Sequence, residues 1–141
     1  MSTEIAYTAT VAVTGGRGGR ATSTTGSFAA DLARPAERGT GSGTDPEELF
    51  AAGYAACFDS ALQVVARRER VRIGPTTTTA SVSLCITGGD QYSIAAELEV
   101  AAPECAQADL DRLLPLAHET CPYSKATRGN IPVAVTGTGR T

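Results

Sequence analysis

The chain has no tryptophan, one histidine, one methionine and a single lysine (Lys125) among its 141 residues. Large apolar side chains are also scarce: Val, Ile, Leu and Phe together number 26. That share falls below the roughly 20% under which chains tend toward disorder. The high net charge that accompanies disorder is missing, however, because the formal charge is only −3. The chain therefore reads as one globular domain, 1–141, built from small side chains. Its core must be packed closely or completed by a second subunit. No dense basic run is present, and acidic residues outnumber basic ones, which excludes nucleic acid as an expected partner. No apolar run approaches the 18 or more residues of a membrane span. Residues 1–12 lack the basic start and long apolar stretch of a signal peptide. A cytoplasmic protein with no membrane association is expected, and in that reducing setting structural disulfides are rare.

The four cysteines, Cys57, Cys85, Cys105 and Cys121, form no C-x-x-C pair and lie far apart in sequence. With a single histidine, they make a zinc site improbable on spacing grounds. Packing and thiol redox chemistry remain as their uses.

Residues 5–14 alternate and are rich in β-branched side chains, so they read as a strand. The run Gly15-Gly16-Arg17-Gly18-Gly19 is a turn, followed by strands over 20–25 and 28–33 and a loop over 34–44. Asp45-Pro46-Glu47-Glu48 starts a helix: Asp caps, Pro takes the first helical position and Glu48 completes a capping box. That helix is expected to reach about Arg70. Its first four turns are apolar nearly all round, the pattern of a buried helix. A hairpin follows, with strands 77–87 and 91–101 around Gly88-Gly89-Asp90. Residues 109–118 read as a second helix, kinked or weakened by Pro115 and ended by Cys121-Pro122. Residues 131–136 are a last strand. The order βββ-α-ββ-α-β, with strands in hairpins, predicts an α+β fold with a mainly antiparallel sheet around a central buried helix.

On composition alone, Cys57 reads as a buried small hydrophobe in mid-helix, and Cys121 as a residue at a helix end. As a pair they suit peroxide chemistry. A peroxidatic thiol must be held as thiolate by a cation, and it needs a second thiol to capture its sulfenic acid before over-oxidation. Arg17 is a candidate cation, since a guanidinium stays charged and can hydrogen-bond both a thiolate and a peroxide oxygen. Glu47 or Glu48 is a candidate to aim it. If the helix starts at Pro46, Glu47 and Cys57 stand about 15 Å apart along it, so Glu47 must act through Arg17, or across a subunit interface. Otherwise it only favours the helix N-terminus, the reading preferred for Glu48. Arg20 reads as a solvated strand residue, Tyr123 and Arg128 as loop packing, and His118 as a half-buried hydrogen-bonded side chain one turn before Cys121.

Three blocks, YTATVAVTGGRGGR (7–20), DPEELFAAGYAACF (45–58) and CPYSKATRGNIPV (121–133), closely resemble the organic hydroperoxide resistance proteins, one branch of the Ohr/OsmC family. The resemblance covers nearly the whole chain in the same order. It implies an OsmC-like fold, an intertwined homodimer, and a thiol peroxidase that reduces organic hydroperoxides, including those of fatty acids, to alcohols. By motif, Cys57 matches the peroxidatic cysteine, Cys121 the resolving cysteine, Arg17 the arginine of the glycine turn, and Glu47 the glutamate after proline. It also implies that no cofactor is bound and that a dihydrolipoyl dithiol, free or on a lipoylated protein, is the reductant. Gly18, Lys125 and Pro132 depart from the usual Asp, Asn and Asp without touching the four matched positions. Cys85 is expected to pack on its strand and Cys105 to lie at the surface. Two other readings stand beside this one: the sister OsmC branch with the same chemistry, and a lipid-binding module whose cysteines only pack.

Overall fold

A computed structural model describes residues 1–36 and 43–141. The loop expected over 34–44 thus lies partly outside the described residues. The chain divides into two compact units, Met1–Pro46 and Glu47–Thr141.

The first unit is a three-stranded antiparallel sheet in the order β1 (Val11–Thr14), β2 (Arg20–Ser23), β3 (Ala29–Asp31). Between β1 and β2 the turn tightens into a 3₁₀ segment, Gly16–Gly18, centred on Arg17. Gly15 takes φ 78°, and a Cβ at Gly19 would fall 1.6 Å from the Thr14 carbonyl oxygen, so the chain closes here only with glycine. The strand expected over 5–14 shortens to its last four residues. Its partner β2 ends at Ser23; one further bond, from the Thr24 N–H to the Thr10 carbonyl at 3.0 Å, extends the pairing, and residues 5–9 join no ladder among the described residues. Ile5 and Tyr7 stand 83% and 84% exposed. Arg20 pairs with Asp31 at 2.6 Å on the surface, as a solvated strand residue would.

In the second unit, α1 (Pro46–Arg68) opens at the proline as expected. It closes after Arg68 with Arg70 in the left-handed region (φ 56°), and the Val71 and Arg70 amides bond back to Ala66 and Arg67. That is a Schellman closure with arginine where glycine is usual. Burial is one-sided rather than complete. Tyr54, Phe58, Ala61, Leu62, Val65 and Ala66 are buried, while Ala52, Ala56 and Ser60 face outward. By length and composition α1 also passes for a membrane span, contrary to the reading of the apolar runs. Its large side chains instead join the core with Leu98 of the sheet and Leu110 and Leu113 of the second helix.

The second sheet has the order β4 (Thr77–Thr87), β5 (Gln91–Ala106), β6 (Val133–Arg140). β4 and β5 form the expected antiparallel hairpin. β5 and β6 pair in parallel, because two helices intervene and return the chain in the same direction. β5 buries Ala96, Leu98 and Val100 and exposes Glu97 and Glu99, so one face packs on the helices. It also runs five residues beyond its expected end. Pro103, which has no N–H for a ladder, sits in the stretch where the register with β6 shifts. This extension buries Cys105 (1% exposed) against Leu110 and Leu113, which corrects its expected surface position. Cys85 is half-buried on β4.

Helix α2 (Gln107–Thr120) starts directly from β5 and continues through Pro115. It ends before Cys121, whose extended backbone (φ −64°, ψ 122°) is the conformation favoured before proline. A short helix that the sequence reading lacked, α3 (Pro122–Thr127), then starts with Pro122 at its first turn.

Candidate active site

Cys57 and Cys121 meet where α1 passes the α2–α3 corner. Cys57 is half-buried on α1 among Tyr54 and Phe58, both with no exposure. Cys121 occupies the corner itself, fully buried, ending α2 and capping α3. The Cys121 Sγ lies 3.4 Å from the Cys57 Sγ, and both thiols are free. A disulfide needs about 2.05 Å between sulfurs, so closure requires a shift of only about 1.4 Å.

Burial pushes the Cys57 thiol up. The Tyr123 backbone N–H, at the start of α3, hydrogen-bonds the sulfur and pulls it down, while the neighbouring Cys121 pushes it up again. The net direction is upward. A thiolate at Cys57 therefore calls for a stronger positive partner than one amide.

An aromatic cluster stands on α1 and α3 near the two cysteines. Phe50 and Tyr54 of α1 stand with Tyr123 of α3 in a three-ring cluster, with centroids 6.1, 6.0 and 5.8 Å apart. Gly53, one turn before Cys57, makes the cluster possible: a Cβ there would lie 2.9 Å from the Tyr123 hydroxyl oxygen.

Two polar anchors fix α1 on either side of Cys57. Asp59 Oδ1 accepts hydrogen bonds from Thr76 Oγ1 (2.7 Å) and Thr78 Oγ1 (2.8 Å), tying the helix to β4. On the other side, Tyr54 Oη meets Ser124 Oγ (2.8 Å) and Thr127 Oγ1 (3.0 Å), tying it to α3. His118 Nδ1 reaches the same Ser124 Oγ at 2.8 Å. The Arg128 guanidinium donates to the His118 carbonyl at 2.6 Å. His118 is thus bound to serine rather than to the Cys121 thiol. Sequence reasoning missed Tyr54, Ser124, Thr127 and Asp59. The only available signal was their spacing from the cysteines, two or three residues for Asp59, Tyr54 and Ser124 and six for Thr127, which means nothing until the two segments are seen together.

Glu47 is half-buried at the start of α1, ten residues before Cys57 on the same continuous helix. Glu48 beside it is exposed. Arg17 belongs to the N-terminal unit, at the tip of the glycine turn. Among the described residues, no three His, Cys, Asp or Glu side chains gather as metal ligands.

Burial, and then the Arg128 guanidinium, hold the His118 imidazole below its ordinary value of 6.5. The unfolded chain takes up this proton near 6.5 and the folded chain only at lower pH. Stability is therefore full above 6.5 and falls as the pH drops from there through the folded value. The urea midpoint is expected to decline as pH is lowered from about 7.5 to about 5, and to decline less in His118→Gln. Equal declines in the two proteins would assign the effect to other groups.

The family model described as OsmC-like protein matches residues 39–136. The chain is 45% identical over 137 residues to an organic hydroperoxide resistance protein of Xanthomonas axonopodis pv. citri, covering 94% of this chain and 95% of that one. It is 47% identical over 133 residues to the organic hydroperoxide resistance protein OhrA of Bacillus subtilis, covering 92% and 94%. Among solved structures it is similar to OhrB of Bacillus subtilis, with a TM-score of 0.87, 40% identity and coverage of 94% and 98%. It is also similar to an organic hydroperoxide resistance protein from Legionella pneumophila, with a TM-score of 0.88, 38% identity and coverage of 96% and 99%.

Proposed function

The chain belongs to the OsmC-like family, among its organic hydroperoxide resistance proteins, and from that premise we propose that it is a cysteine peroxidase reducing organic hydroperoxides to alcohols. The observation that carries this reading is the 3.4 Å approach of the two free thiols, one half-buried and one fully buried. The Cys57 thiolate attacks the peroxide oxygen distal to carbon, the O–O bond breaks, and the alkoxide leaves and takes a proton to give the alcohol. Cys57 becomes a sulfenic acid. The Cys121 thiol attacks that sulfur, water leaves, and a Cys57–Cys121 disulfide forms. A dithiol then reduces the disulfide by exchange and is itself oxidised to its cyclic disulfide.

In this reading Arg17 supplies the positive charge that burial makes necessary at Cys57, stabilising the thiolate and the departing alkoxide. Glu47 acts through Arg17 by orienting it, because ten helical residues separate Glu47 from Cys57 by about 15 Å. The aromatic cluster of Phe50, Tyr54 and Tyr123 favours an apolar peroxide, such as a fatty acid hydroperoxide, over hydrogen peroxide. The whole chain, 1–141, acts as one domain in a cytoplasmic homodimer. The thin apolar inventory and the exposed Ile5, Tyr7, Val11 and Val13 support the need for a second subunit.

The test is a peroxide-consumption assay with dihydrolipoamide, thioredoxin and glutathione compared as reductants. Cumene and fatty acid hydroperoxides are expected to turn over faster than hydrogen peroxide, with dihydrolipoamide the best reductant. Faster turnover of hydrogen peroxide would sink the substrate preference, and failure with every reductant would sink the peroxidase reading.

A further inference from the structure

The hydroxyl cluster behind the cysteines has one consistent direction. Thr127 Oγ1 bonds the Ser124 carbonyl at 3.2 Å, and a carbonyl can only accept, so the threonine proton is committed there. Thr127 Oγ1 must then accept from the Tyr54 hydroxyl, which spends its single proton on that bond. The Tyr54 oxygen in turn accepts from Ser124 Oγ–H, and Ser124 Oγ accepts from His118 Nδ1–H. Proton counting thus fixes the tautomer of His118 with Nδ1 protonated, and every hydroxyl in the chain donates once and accepts once. Tyr54 and Ser124 have no exposure and Thr127 has 4%. A broken link would leave a buried polar group unsatisfied, so the arrangement is held firmly.

The chain's position gives it a use. Tyr54 precedes Cys57 by three residues on α1, and Ser124 follows Cys121 by three on α3. The Lys125 amide bonds the Cys121 carbonyl at 3.0 Å, so Cys121 and Ser124 belong to one helical turn. Clamping Ser124 to Tyr54 therefore clamps the Cys121 sulfur against Cys57.

We propose that the directed chain His118–Ser124–Tyr54–Thr127 is the positioning device for the resolving step, holding Cys121 within reach of Cys57 so that the disulfide forms before a second peroxide oxidises the sulfenic acid. This rests on the peroxidase reading. Ser124 and Thr127 are positioning residues and touch neither sulfur nor peroxide. The Cys57 sulfenic acid partitions between attack by Cys121, giving the disulfide, and attack on a second peroxide, giving sulfinic acid and one alcohol. The ratio of the two products does not depend on how fast the first peroxide reacts.

The experiment measures that ratio by mass spectrometry after exposing the intact protein to graded cumene hydroperoxide. In Ser124→Ala, and in the near-isosteric Thr127→Val, the sulfinic-to-disulfide ratio at a given peroxide concentration is expected to rise about tenfold. A destabilised core variant of matched melting temperature, Val100→Ala, is expected to keep the wild-type ratio. Ratios within about threefold of wild type in the folded variants, or an equal rise in Val100→Ala, would overturn the proposal. A wild-type protein that forms no Cys57–Cys121 disulfide at all would instead overturn the peroxidase reading itself.

Discussion

Replacing Cys57 by serine is expected to stop peroxide consumption, with a fall of at least about a thousandfold against cumene hydroperoxide. The reason is chemical rather than structural. Serine nearly matches cysteine in volume, so the helix should keep its packing against Tyr54 and Phe58. Its hydroxyl, however, is not ionised near neutral pH and is a poor nucleophile toward a peroxide oxygen. The melting temperature should therefore change little while turnover vanishes. Residual activity above about 1% of wild type in a correctly folded Cys57→Ser protein would move the chemistry elsewhere in the chain. The same variant separates the peroxidase from a lipid-binding module, which would keep its binding when Cys57 is lost.

The second large effect is expected in Cys121→Ser, and it differs in kind. The first peroxide should still be reduced, because the attacking sulfur is intact. Steady-state turnover with a dithiol should fall by about a hundredfold, since the sulfenic acid has lost the partner held 3.4 Å away. Cys57 should then be found as sulfenic acid trapped by dimedone or, at higher peroxide, as sulfinic acid. A small monothiol in excess should restore part of the turnover, one molecule forming a mixed disulfide at Cys57 with loss of water and a second releasing Cys57 as the monothiol's own disulfide. Full turnover in Cys121→Ser with no trapped sulfenic acid would show that resolution does not use this cysteine. Because Cys121 is fully buried, serine there also places a hydroxyl without exposure. A modest loss of stability should accompany the kinetic effect, of the order of 1 kcal/mol.

Much of the architecture was legible before any coordinates. Pro46 marks the start of α1 because its fixed φ is a local property that needs no distant partner. The glycines around Arg17 announce a turn for the same kind of reason, since Gly15 and Gly19 leave no room for a Cβ. The β4–β5 hairpin follows from period-two alternation on both sides of a Gly-Gly turn. Thiol chemistry suggested Cys57 and Cys121 as a pair, and the resemblance assigned them the peroxidatic and resolving roles.

The misses share a physical origin. Residues 5–9 carry strand propensity but find no ladder partner among the described residues. Cys105 was read as a surface residue, four positions past the strand end expected at Ala101. β5 instead continues past its hairpin partner and buries that thiol under α2. α3 escaped notice because a six-residue helix has too little periodicity to read. Its existence aims the Tyr123 amide at the Cys57 sulfur and places Ser124 against Tyr54.

By itself, then, the sequence determined what depends on neighbours along the chain: helix starts, glycine turns, hairpins and the inventory of thiols. The tertiary structure alone decided that sulfurs 64 residues apart meet at 3.4 Å, that β6 runs parallel to β5, and that four polar side chains close one hydrogen-bonded chain behind the cysteines. Those outcomes depend on how helices seat on a sheet and on where buried hydroxyls find partners. Both are set by packing across the core and leave no periodic trace in the residues that take part.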